Sequence, residues 1–400
     1  MAAIKSGHHL KLLCGAQAFF DELVAAIDTS VQEVLLETYI FNLEASGARV
    51  ALALITAAQR GVTIRLVVDG VGTPYLPEPW PQRLLAAGVQ WRVYAPLGRL
   101  GLLVPSRWRR LHRKLCVVDG GVAFCGGINV LDDWFDPNHG PLEAPRFDFA
   151  VRVVGPLVQD VHLAMTQFWW RQQAVQSAQQ VNWLGAWQAL QRAVQSRRSD
   201  KDDSSMALSG AKAMLVLRDN LLNRSRIERA YRLALGEARQ EIILANAYFL
   251  PGRKIRNSLI HAARRGVRVR LLLQGRYEYF MQHHATRALY RRLLAAGVEI
   301  YEYNASFLHA KVAVVDGRWA TVGSSNMDPL SLLLAREANV VIEDASFAKD
   351  LSLEMEHAMA TRSLRIDLMQ HAQRPLRLKL LDHAALLLMR LMIFINGKRY

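Results

Sequence analysis

Hydrophobic and polar positions along the chain follow two alternating periods. Phe19, Phe20, Leu23, Val24 and Ile27 recur at helical spacing and predict a helix over residues 16–29. Residues 34–41 form an apolar run typical of a buried strand, 47–60 predict a second helix that ends at Gly61, and 62–68 predict the next strand. This alternation predicts a mostly parallel sheet covered by helices on both faces.

The same order of elements returns in the second half of the chain. Residues 57–66 (AAQRGVTIRL) correspond to 262–271 (AARRGVRVRL), and LLAAGV occurs at both 84–89 and 293–298. An internal repeat of this length predicts two α/β domains of similar topology. We place the domains at 1–195 and 213–370, joined by a polar linker at 196–212 and followed by an amphipathic tail at 371–400.

Composition narrows the class of protein. Of 400 residues, 51% are hydrophobic and 21% are charged, which is typical of a globular protein. The net charge of +15 favours an anionic partner, either nucleic acid or a membrane surface. Three cysteines without metal-ligand spacing favour a reducing compartment. We therefore predict neither a metal nor another cofactor.

Membrane contact, if present, is expected to be peripheral. The N-terminal residues lack the long apolar segment of a signal peptide. No stretch has the eighteen or so uncharged apolar residues that a spanning helix needs.

One short motif occurs twice with identical internal spacing. In each copy a histidine precedes a lysine by two residues, an aspartate by seven and an asparagine by seventeen, and the copies are 197 residues apart. An apolar run bounded by Asp-Gly predicts a strand entering a hairpin, so His and Lys project from the same face. The two sets are His112, Lys114, Asp119 and Asn129, and His309, Lys311, Asp316 and Asn326.

Two such strands that meet between similar halves would place two imidazoles and two ammonium groups in one pocket. That set suits a phosphodiester, because one imidazole can attack phosphorus while the other protonates the leaving oxygen. The lysines, with Asn129 and Asn326 as neutral donors, would hold the non-bridging oxygens. Asp119 and Asp316 stand at an odd spacing from the histidines, so they favour a turn or ion-pair role over proton transfer.

The doubled motif resembles that of the phospholipase D superfamily. Within it, the chain is most similar to bacterial cardiolipin synthases that lack N-terminal membrane spans. The segments carrying this narrower likeness are 36–41, 147–153, 245–252 and 321–330.

The resemblance implies two phospholipase D-type α/β/α domains packed as a pseudo-dimer, with the active site at their interface. It implies phosphatidyl transfer through a phosphohistidine, from two phosphatidylglycerol molecules to cardiolipin and glycerol, at the cytoplasmic side of a bacterial membrane. It also includes Asp119 and Asp316 in the motif and favours His112 as nucleophile with His309 as general acid and then base. Phosphatidylethanolamine as donor, phospholipid hydrolysis and nuclease activity remain alternatives, although apolar segments favour lipid over nucleic acid. The oligomeric state stays open.

Further residues are candidates for supporting the site. Asp148 and Glu337 follow the two motifs and are expected to orient the second ring nitrogen of each histidine, with ordinary strand-edge carboxylates as the alternative. Tyr39 and Tyr248 occupy matched repeat positions, where lining a substrate pocket and core packing are equally compatible with the sequence.

Two segments are candidates for contact with an anionic phospholipid membrane. The first is an insertion that only the first half carries, with apolar residues at 97–104 followed by Arg107, Trp108, Arg109 and Arg110. The second is the C-terminal stretch 376–395, which suits a helix lying in the membrane interface. A solvated basic loop and a helix docked on the protein are the respective alternatives. The aromatic residues Phe168, Trp169, Trp170, Trp183 and Trp187 are expected to pack in the core or between the domains, with an interfacial belt as the second interpretation.

Overall fold

The computed structural model describes residues 4–98, 105–180, 182–198, 210–219, 223–328 and 335–395. Four parts of the predictions lie outside these residues: 99–104 of the proposed docking loop, 199–209 of the linker, 329–330 after the second motif and 396–400 of the tail.

The first half alternates strands and helices as the sequence pattern predicts. Its strands are β1 (Lys5–Cys14), β2 (Glu33–Thr38), β3 (Thr63–Asp69), β4 (Gln90–Tyr94), β5 (Arg110–Leu111), β6 (Leu115–Val118), β7 (Val122–Gly126), β8 (Phe135–Asp136), β9 (Gly140–Pro141) and β10 (Phe149–Val154). Its helices are α1 (Gly15–Asp28), α2 (Ser46–Gln59), α3 (Trp80–Ala86), α4 (Leu157–Gln179) and α5 (Trp183–Arg198).

The second half repeats this order and adds three elements at its end. Its strands are β11 (Ala211–Arg218), β12 (Glu241–Asn246), β13 (Arg268–Gln274), β14 (Glu299–Tyr303), β15 (Lys311–Val315), β16 (Trp319–Gly323), β17 (Ala335–Glu343) and β18 (Ser363–Arg365). Its helices are α6 (Arg226–Glu237), α7 (Arg253–Arg264), α8 (Phe280–Leu294), α9 (Ala345–Thr361), α10 (Leu368–Ala372) and α11 (Leu376–Ile395).

The strands of both halves join in one continuous sheet. Its order is β18-β14-β13-β12-β15-β16-β17-β11-β1-β10-β7-β6-β2-β3-β4, so each half contributes the same sequence of seven strands, read outward from the centre. β11 and β1 pair antiparallel where the halves meet. In each half the outer three strands are parallel and the motif hairpin is antiparallel. The mixed α/β fold with two similar halves is therefore confirmed, whereas the prediction of a mostly parallel sheet is wrong. Within the described residues, most strand pairs are antiparallel, because tight hairpins connect the motif strands and the strands at the centre of the sheet also run in opposite directions.

The repeat extends to the ends of helices. Gly61 and Gly266, which follow α2 and α7, adopt left-handed backbone conformations with φ of 92° and 90°. Glycine reaches this region without the steric cost that a Cβ imposes, so it ends each helix one residue after its cap. The following strands β3 and β13 then begin at matched positions.

One hydrophobic core is shared by both halves. Leu157 and Val161 of α4 pack in the same cluster as Leu351 and Met355 of α9, together with the motif strands β6 and β15. Each half also has its own outer core, which contains α1 and α2 in the first and α6 and α7 in the second. The shared core fixes the two motif strands relative to each other, and this positions the site.

Regular secondary structure extends into both ends of the predicted linker. Helix α5 runs to Arg198 and β11 begins at Ala211, so regular structure overlaps both ends of 196–212.

Candidate active site

The imidazole of His112 is held by the other half of the molecule. Its Nδ1 lies 3.1 Å from Oε2 of Glu337 and 3.1 Å from the carbonyl oxygen of Ser324. The peptide N–H of His112 donates to the carbonyl oxygen of Arg336, the residue before Glu337, at 3.0 Å. Both the backbone and the ring of His112 are thus positioned across the interface.

His309 is held in the mirrored arrangement by the first half. Its Nδ1 lies 2.6 Å from Oδ2 of Asp148, and its peptide N–H donates to the carbonyl oxygen of Phe147 at 2.9 Å. In both cases Nδ1 is the atom engaged, which leaves Nε2 for chemistry. The contacts agree with the prediction that Asp148 and Glu337 orient the two rings, and they add that each acid serves the histidine of the opposite half.

Sheet register makes Asp148 and Glu337 equivalent. Ala150 pairs with Gly126 and Asn339 pairs with Gly323, so each acid stands two residues before the partner of the matched motif glycine. The copies differ at the next motif position. A Cβ at Gly127 would lie 2.3 Å from the Asp148 carboxylate, whereas Ser324 uses this place to donate its hydroxyl to Glu337 at 2.5 Å.

The two motif lysines are buried beside the histidines. The Nζ of Lys114 donates to the carbonyl oxygen of His112 at 2.9 Å, and the Nζ of Lys311 donates to that of His309. Lys114 also lies 5.5 Å from the centroid of the Tyr39 ring, which lines the site cavity. Burial lowers the pKa of Lys114 to about 7 and that of Lys311 to about 8. Phosphate binding by these lysines remains a prediction.

The two imidazole–carboxyl pairs differ electrostatically. Burial lowers the pKa of His112, and Glu337 offsets this only in part. Burial opposes ionisation of Glu337, but the charge of His112 and its hydrogen bond outweigh that effect and lower the pKa of this carboxyl. At the other pair, burial raises the pKa of Asp148 to about 7, and burial with the Lys311 charge lowers the pKa of His309 well below its usual value. The pKa shift is thus downward at Glu337 and upward at Asp148, so Glu337 is the more readily ionised of the two carboxyls.

The motif asparagines line the same cavity. Oδ1 of Asn129 accepts from the peptide N–H of Ile40 at 3.2 Å. Oδ1 of Asn326 is buried and has no hydrogen-bond partner within the described part of the chain. Both side chains line the cavity, and their role as neutral donors to the non-bridging oxygens stays a prediction.

The motif aspartates do not reach the histidines. Asp119 accepts from the peptide N–H groups of Val31, Gln32 and Glu33 at 2.8, 2.8 and 2.9 Å. Asp316 accepts from those of Arg239, Gln240 and Glu241 at the same three distances. Both aspartates have φ of 50° in the hairpin turns that follow β6 and β15. The turn role expected from their odd spacing agrees with this geometry.

A cavity of about 570 Å³ opens over both histidines. His112, His309, Asn129, Asn326 and Asp148 line it, together with Tyr39 and Tyr248. The Tyr39 ring lies edge-on to His112 at 5.1 Å between centroids, and the Tyr248 hydroxyl donates to Glu278 at 2.9 Å. The tyrosines therefore line the pocket, which was one of two interpretations of their matched positions.

The four residues proposed for membrane docking separate into two groups. Arg107 is exposed, whereas Trp108 and Arg109 are half-buried. Arg110 lines the cavity, and its Nη1 lies 3.1 Å from the fully buried Asp69 carboxylate. Its guanidinium is thus directed inward, so in this structure it does not present a surface charge to lipid headgroups. Docking by Arg107, Trp108 and Arg109 stays a prediction.

Sequence reasoning missed a ring of polar residues around the cavity. Asp69 lies at the end of β3, Asp133, Asp136 and Arg146 follow the first motif, and Glu278 precedes α8. Asp69 could have been found from its place at the carboxyl end of a parallel strand, where sites form. The others lie in irregular segments or, for Asp136, in the two-residue strand β8, where no periodicity marks them.

Tests for metal and membrane-spanning features were negative within the residues that the structure describes. No group of three or more His, Cys, Asp or Glu side chains is placed to hold a metal ion there. None of the helices described is long and apolar enough to cross a membrane.

Comparison with known proteins is consistent with this site. A family profile described as "Cardiolipin synthase, PLD-like domain" matches residues 23–140 and 231–359. Cardiolipin synthase B of Escherichia coli strain K12 is 38% identical over 363 residues, covering 91% of this chain and 83% of that protein. Cardiolipin synthase of Geobacillus kaustophilus is 30% identical over 385 residues, covering 94% of this chain and 71% of that protein.

Solved structures also match the fold. The crystal structure of phosphatidylserine synthase from Haemophilus influenzae superposes with a TM-score of 0.67 at 11% identity, covering 96% of this chain and 95% of that one. At this identity the likeness concerns the fold alone.

Proposed function

This chain belongs to the family of cardiolipin synthases with PLD-like domains, and from that premise we propose that it transfers a phosphatidyl group between two phosphatidylglycerol molecules. The products are cardiolipin and glycerol. The observation that carries the proposal is the pair of cross-held imidazoles, His112 with Glu337 and His309 with Asp148, which face one cavity.

In the first step, Nε2 of His112 forms a bond to phosphorus. The bond between phosphorus and the headgroup glycerol oxygen breaks, and that oxygen takes a proton from Nε2 of His309. As Nε2 loses its proton, the Asp148 carboxyl gives its own proton to Nδ1, so the step leaves a phosphatidyl group on His112, a neutral glycerol, a neutral His309 and an ionised Asp148. Ionised Glu337 stabilises the positive charge that develops on the His112 ring.

In the second step, a hydroxyl of another phosphatidylglycerol attacks the phosphorus. Its proton passes to His309 as the new phosphorus–oxygen bond forms, and the bond to His112 breaks. Lys114, Lys311, Asn129 and Asn326 hold the non-bridging oxygens, because charge builds there in both transition states. The chain returns to its starting protonation state.

The assignment of His112 as nucleophile is supported by its hydrogen bonds. The Ser324 carbonyl can only accept, so Nδ1 of His112 carries the hydrogen and Nε2 keeps its lone pair. Among the residues that the structure describes, Nδ1 of His309 contacts only the Asp148 carboxyl. Burial raises the pKa of this carboxyl to about 7, so it can donate or accept. His309 can therefore carry its hydrogen on either nitrogen, as a group that alternates between acid and base must.

The substrate lies in a membrane, and we propose peripheral binding to an anionic bilayer at the cytoplasmic face. Helix α5 supports this proposal because it buries small apolar residues and exposes large ones, the opposite of what a helix packed on a core normally shows. Ala186, Ala189 and Ala193 are buried, whereas the larger apolar side chains face solvent. These are Leu184, Trp187, Leu190 and Val194, of which Trp187 is 58% exposed although the sequence favoured core packing for it. A face of this kind suits the interfacial region of a bilayer.

Helix α11 is docked on the protein through one side and exposes apolar side chains on the other, which bears on both interpretations of this segment. Ala385, Leu386 and Met389 pack in the core beside α8, and Asp382 binds His284 at 2.7 Å and Arg374 at 2.9 Å. The opposite side exposes Leu376, Leu380, Leu387, Leu388 and Leu391. We propose that this side and α5 contact lipid together with Arg107 and Arg109.

One assay tests the activity and separates the rivals. Purified protein is incubated with phosphatidylglycerol vesicles and, separately, with single-stranded DNA. We expect cardiolipin and glycerol from the lipid and intact DNA, with no product from His112→Ala. Phosphatidic acid as the sole lipid product would make the protein a hydrolase, and DNA fragments without cardiolipin would make it a nuclease.

Vesicle flotation tests the membrane surface. The double variant Leu184→Ser/Trp187→Ser should float less with phosphatidylglycerol vesicles, and so should Arg107→Ala/Arg109→Ala. Leu353→Ser removes a comparably exposed leucine from α9 and serves as the matched control. Equal flotation of all variants and wild type would rule out these contacts.

A further inference from the structure

The cavity contains an arginine with unused hydrogen-bond donors. Arg146 is 9% exposed and lines the cavity. Its Nη2 lies 2.7 Å from Oδ2 of Asp136 and also donates to the carbonyl oxygen of Phe135 at 3.4 Å, and its Nη1 donates to the carbonyl oxygen of Asp132 at 3.2 Å. Its Nε has no partner among the residues that the structure describes. Both N–H groups of Nη2 are thus used, while the N–H of Nε and one N–H of Nη1 remain for a ligand.

The second arginine in the cavity is already committed to protein contacts. Arg110 donates from Nε to the carbonyl oxygen of Trp108, from Nη1 to Asp69, and from Nη2 to the carbonyl oxygens of Ala95 and Arg107. All three of its nitrogens are used. Arg146 is therefore the better candidate to bind an anion.

Arg146 lies on the His309 side of the cavity. The next residue along the chain, Phe147, accepts the peptide N–H of His309, and Asp148 contacts the His309 ring. The positive charge of Arg146 also contributes to lowering the pKa of His309. By contrast, the His112 ring lies against Tyr39.

The chemistry of the second step places an anion on that side. The acceptor hydroxyl must approach phosphorus opposite His112 and give its proton to His309. When the acceptor is phosphatidylglycerol, this hydroxyl is joined through three carbons to another phosphate. We therefore expect that phosphate on the His309 side of the cavity. Glu278, Tyr279 and Gln282 also line the cavity and can bind glycerol hydroxyls.

We propose that Arg146 binds the phosphate of the acceptor lipid and so selects an anionic acceptor over an uncharged alcohol. The inference rests on the proposed function. A guanidinium suits this task because its N–H groups form charge-assisted hydrogen bonds with phosphate oxygens, and Arg146 keeps such groups on Nε and Nη1. The reacting phosphate is held by other groups, so phosphohistidine formation does not need Arg146.

A competition assay isolates this role. Fluorescent phosphatidylglycerol serves as donor in mixed micelles that contain unlabelled phosphatidylglycerol and 1-butanol as competing acceptors. Both products arise from one phosphohistidine, so the ratio of labelled cardiolipin to labelled phosphatidylbutanol cancels any change in donor binding or in the amount of folded enzyme. Arg146→Gln should lower this ratio about 10- to 100-fold, the range for one charge-assisted hydrogen-bonded contact. Arg146→Lys should give an intermediate ratio.

Arg49→Gln is the control, since it removes the same charge from a surface pair with Asp21. It should leave the ratio at the wild-type value. If Arg146→Gln slows both products equally, or loses both, Arg146 serves the donor or the fold and the inference fails. Wild-type protein that forms neither labelled cardiolipin nor phosphatidylbutanol would instead contradict the proposed function itself.

Discussion

The two motif histidines occupy equivalent positions, yet the groups that face their Nδ1 atoms differ. His112 meets a backbone carbonyl and the carboxyl of Glu337. Burial raises the pKa of this carboxyl, but its interaction with His112 lowers the pKa by more. His309 meets one carboxyl whose pKa burial raises to about 7. The first surroundings fix the ring in one tautomer beside the more readily ionised carboxyl, whereas the second permit either tautomer.

This difference teaches how a duplicated site divides its labour. A nucleophile needs a fixed lone pair and a countercharge for the cationic intermediate, while an acid that later acts as base needs to gain and lose a proton easily. The change from Gly127 to Ser324 contributes, because the Ser324 hydroxyl donates to Glu337 and favours its ionised form. Near-symmetry of the backbone thus coexists with different proton chemistry.

Replacing either motif histidine should have the largest effect on turnover and should show which of the two is the nucleophile. With phosphatidylglycerol, His112→Asn and His309→Asn should each lower turnover by about 10³-fold or more, since each removes an acid–base or nucleophilic group. Phosphatidyl p-nitrophenol carries a leaving group that departs as p-nitrophenolate and needs no protonation. With this donor, His309→Asn should still release p-nitrophenolate and accumulate a phosphohistidine. His112→Asn should do neither. Mass spectrometry that locates the phosphatidyl group on residue 309 would reverse the assignment.

The two acids should give step-specific losses. Glu337→Gln removes the charge that stabilises the His112 intermediate, so we expect a loss of about 10²- to 10³-fold with either donor. Asp148→Asn acts through His309, so its loss should largely disappear with p-nitrophenol as leaving group. Burst kinetics with both donors measures this, and equal losses for the two variants would show that the pairs are interchangeable.

The buried lysines make a prediction about pH. The pKa of Lys114 is lowered to about 7 by burial, from an unfolded value near 10.5. Between these values the unfolded chain binds more protons, so this lysine makes unfolding less favourable as pH rises from about 7 to 10. Lys114→Met should remove that part of the slope and lower turnover about 10- to 100-fold through loss of a phosphate contact.

Thermal unfolding of both proteins across this pH range measures the slope. Lys254→Met, which changes an exposed lysine on α7, is the matched control and should keep the wild-type slope. Identical slopes for wild type and Lys114→Met would mean that Lys114 keeps its ordinary proton affinity in the folded protein.

The sequence predicted the repeated α/β fold and the motif residues because both depend on local patterns. Apolar periodicity located β2, β3 and α2 within two or three residues, and identical spacing exposed the doubled motif. Asp148 and Glu337 were found by their distance after each motif, but their exchange between halves depends on packing that no local pattern encodes.

The environment of other residues was predicted wrongly, because the sequence alone does not show whether a side chain points to the interior or to solvent. Arg110 belongs to a basic run that favoured a membrane surface, yet the buried carboxylate of Asp69 draws it inward. Trp187 looked like a core residue, but α5 packs through its alanines instead. Arg146 escaped notice because it lies in an irregular segment whose partner, Asp136, is equally unmarked.

The motif aspartates provide a control for this comparison, because their surroundings are the same in the two halves. Asp119 and Asp316 each accept three peptide N–H groups at matching distances and share φ of 50°. Asp119→Gly and Asp316→Gly should each lower the free energy of unfolding by about 2–3 kcal/mol through the lost charge-assisted bonds. The alanine variants should lose about 1 kcal/mol more, because alanine tolerates the left-handed conformation poorly.

Urea denaturation compares the four variants, and turnover per folded molecule should stay within about twofold of wild type because surface turns far from the chemistry rarely alter it. Equal losses of stability in the two halves would confine the asymmetry to the surroundings of the imidazoles. A large fall in turnover for one aspartate alone would instead place that aspartate in the proton path, and the division of labour would then extend to the hairpins that carry each motif.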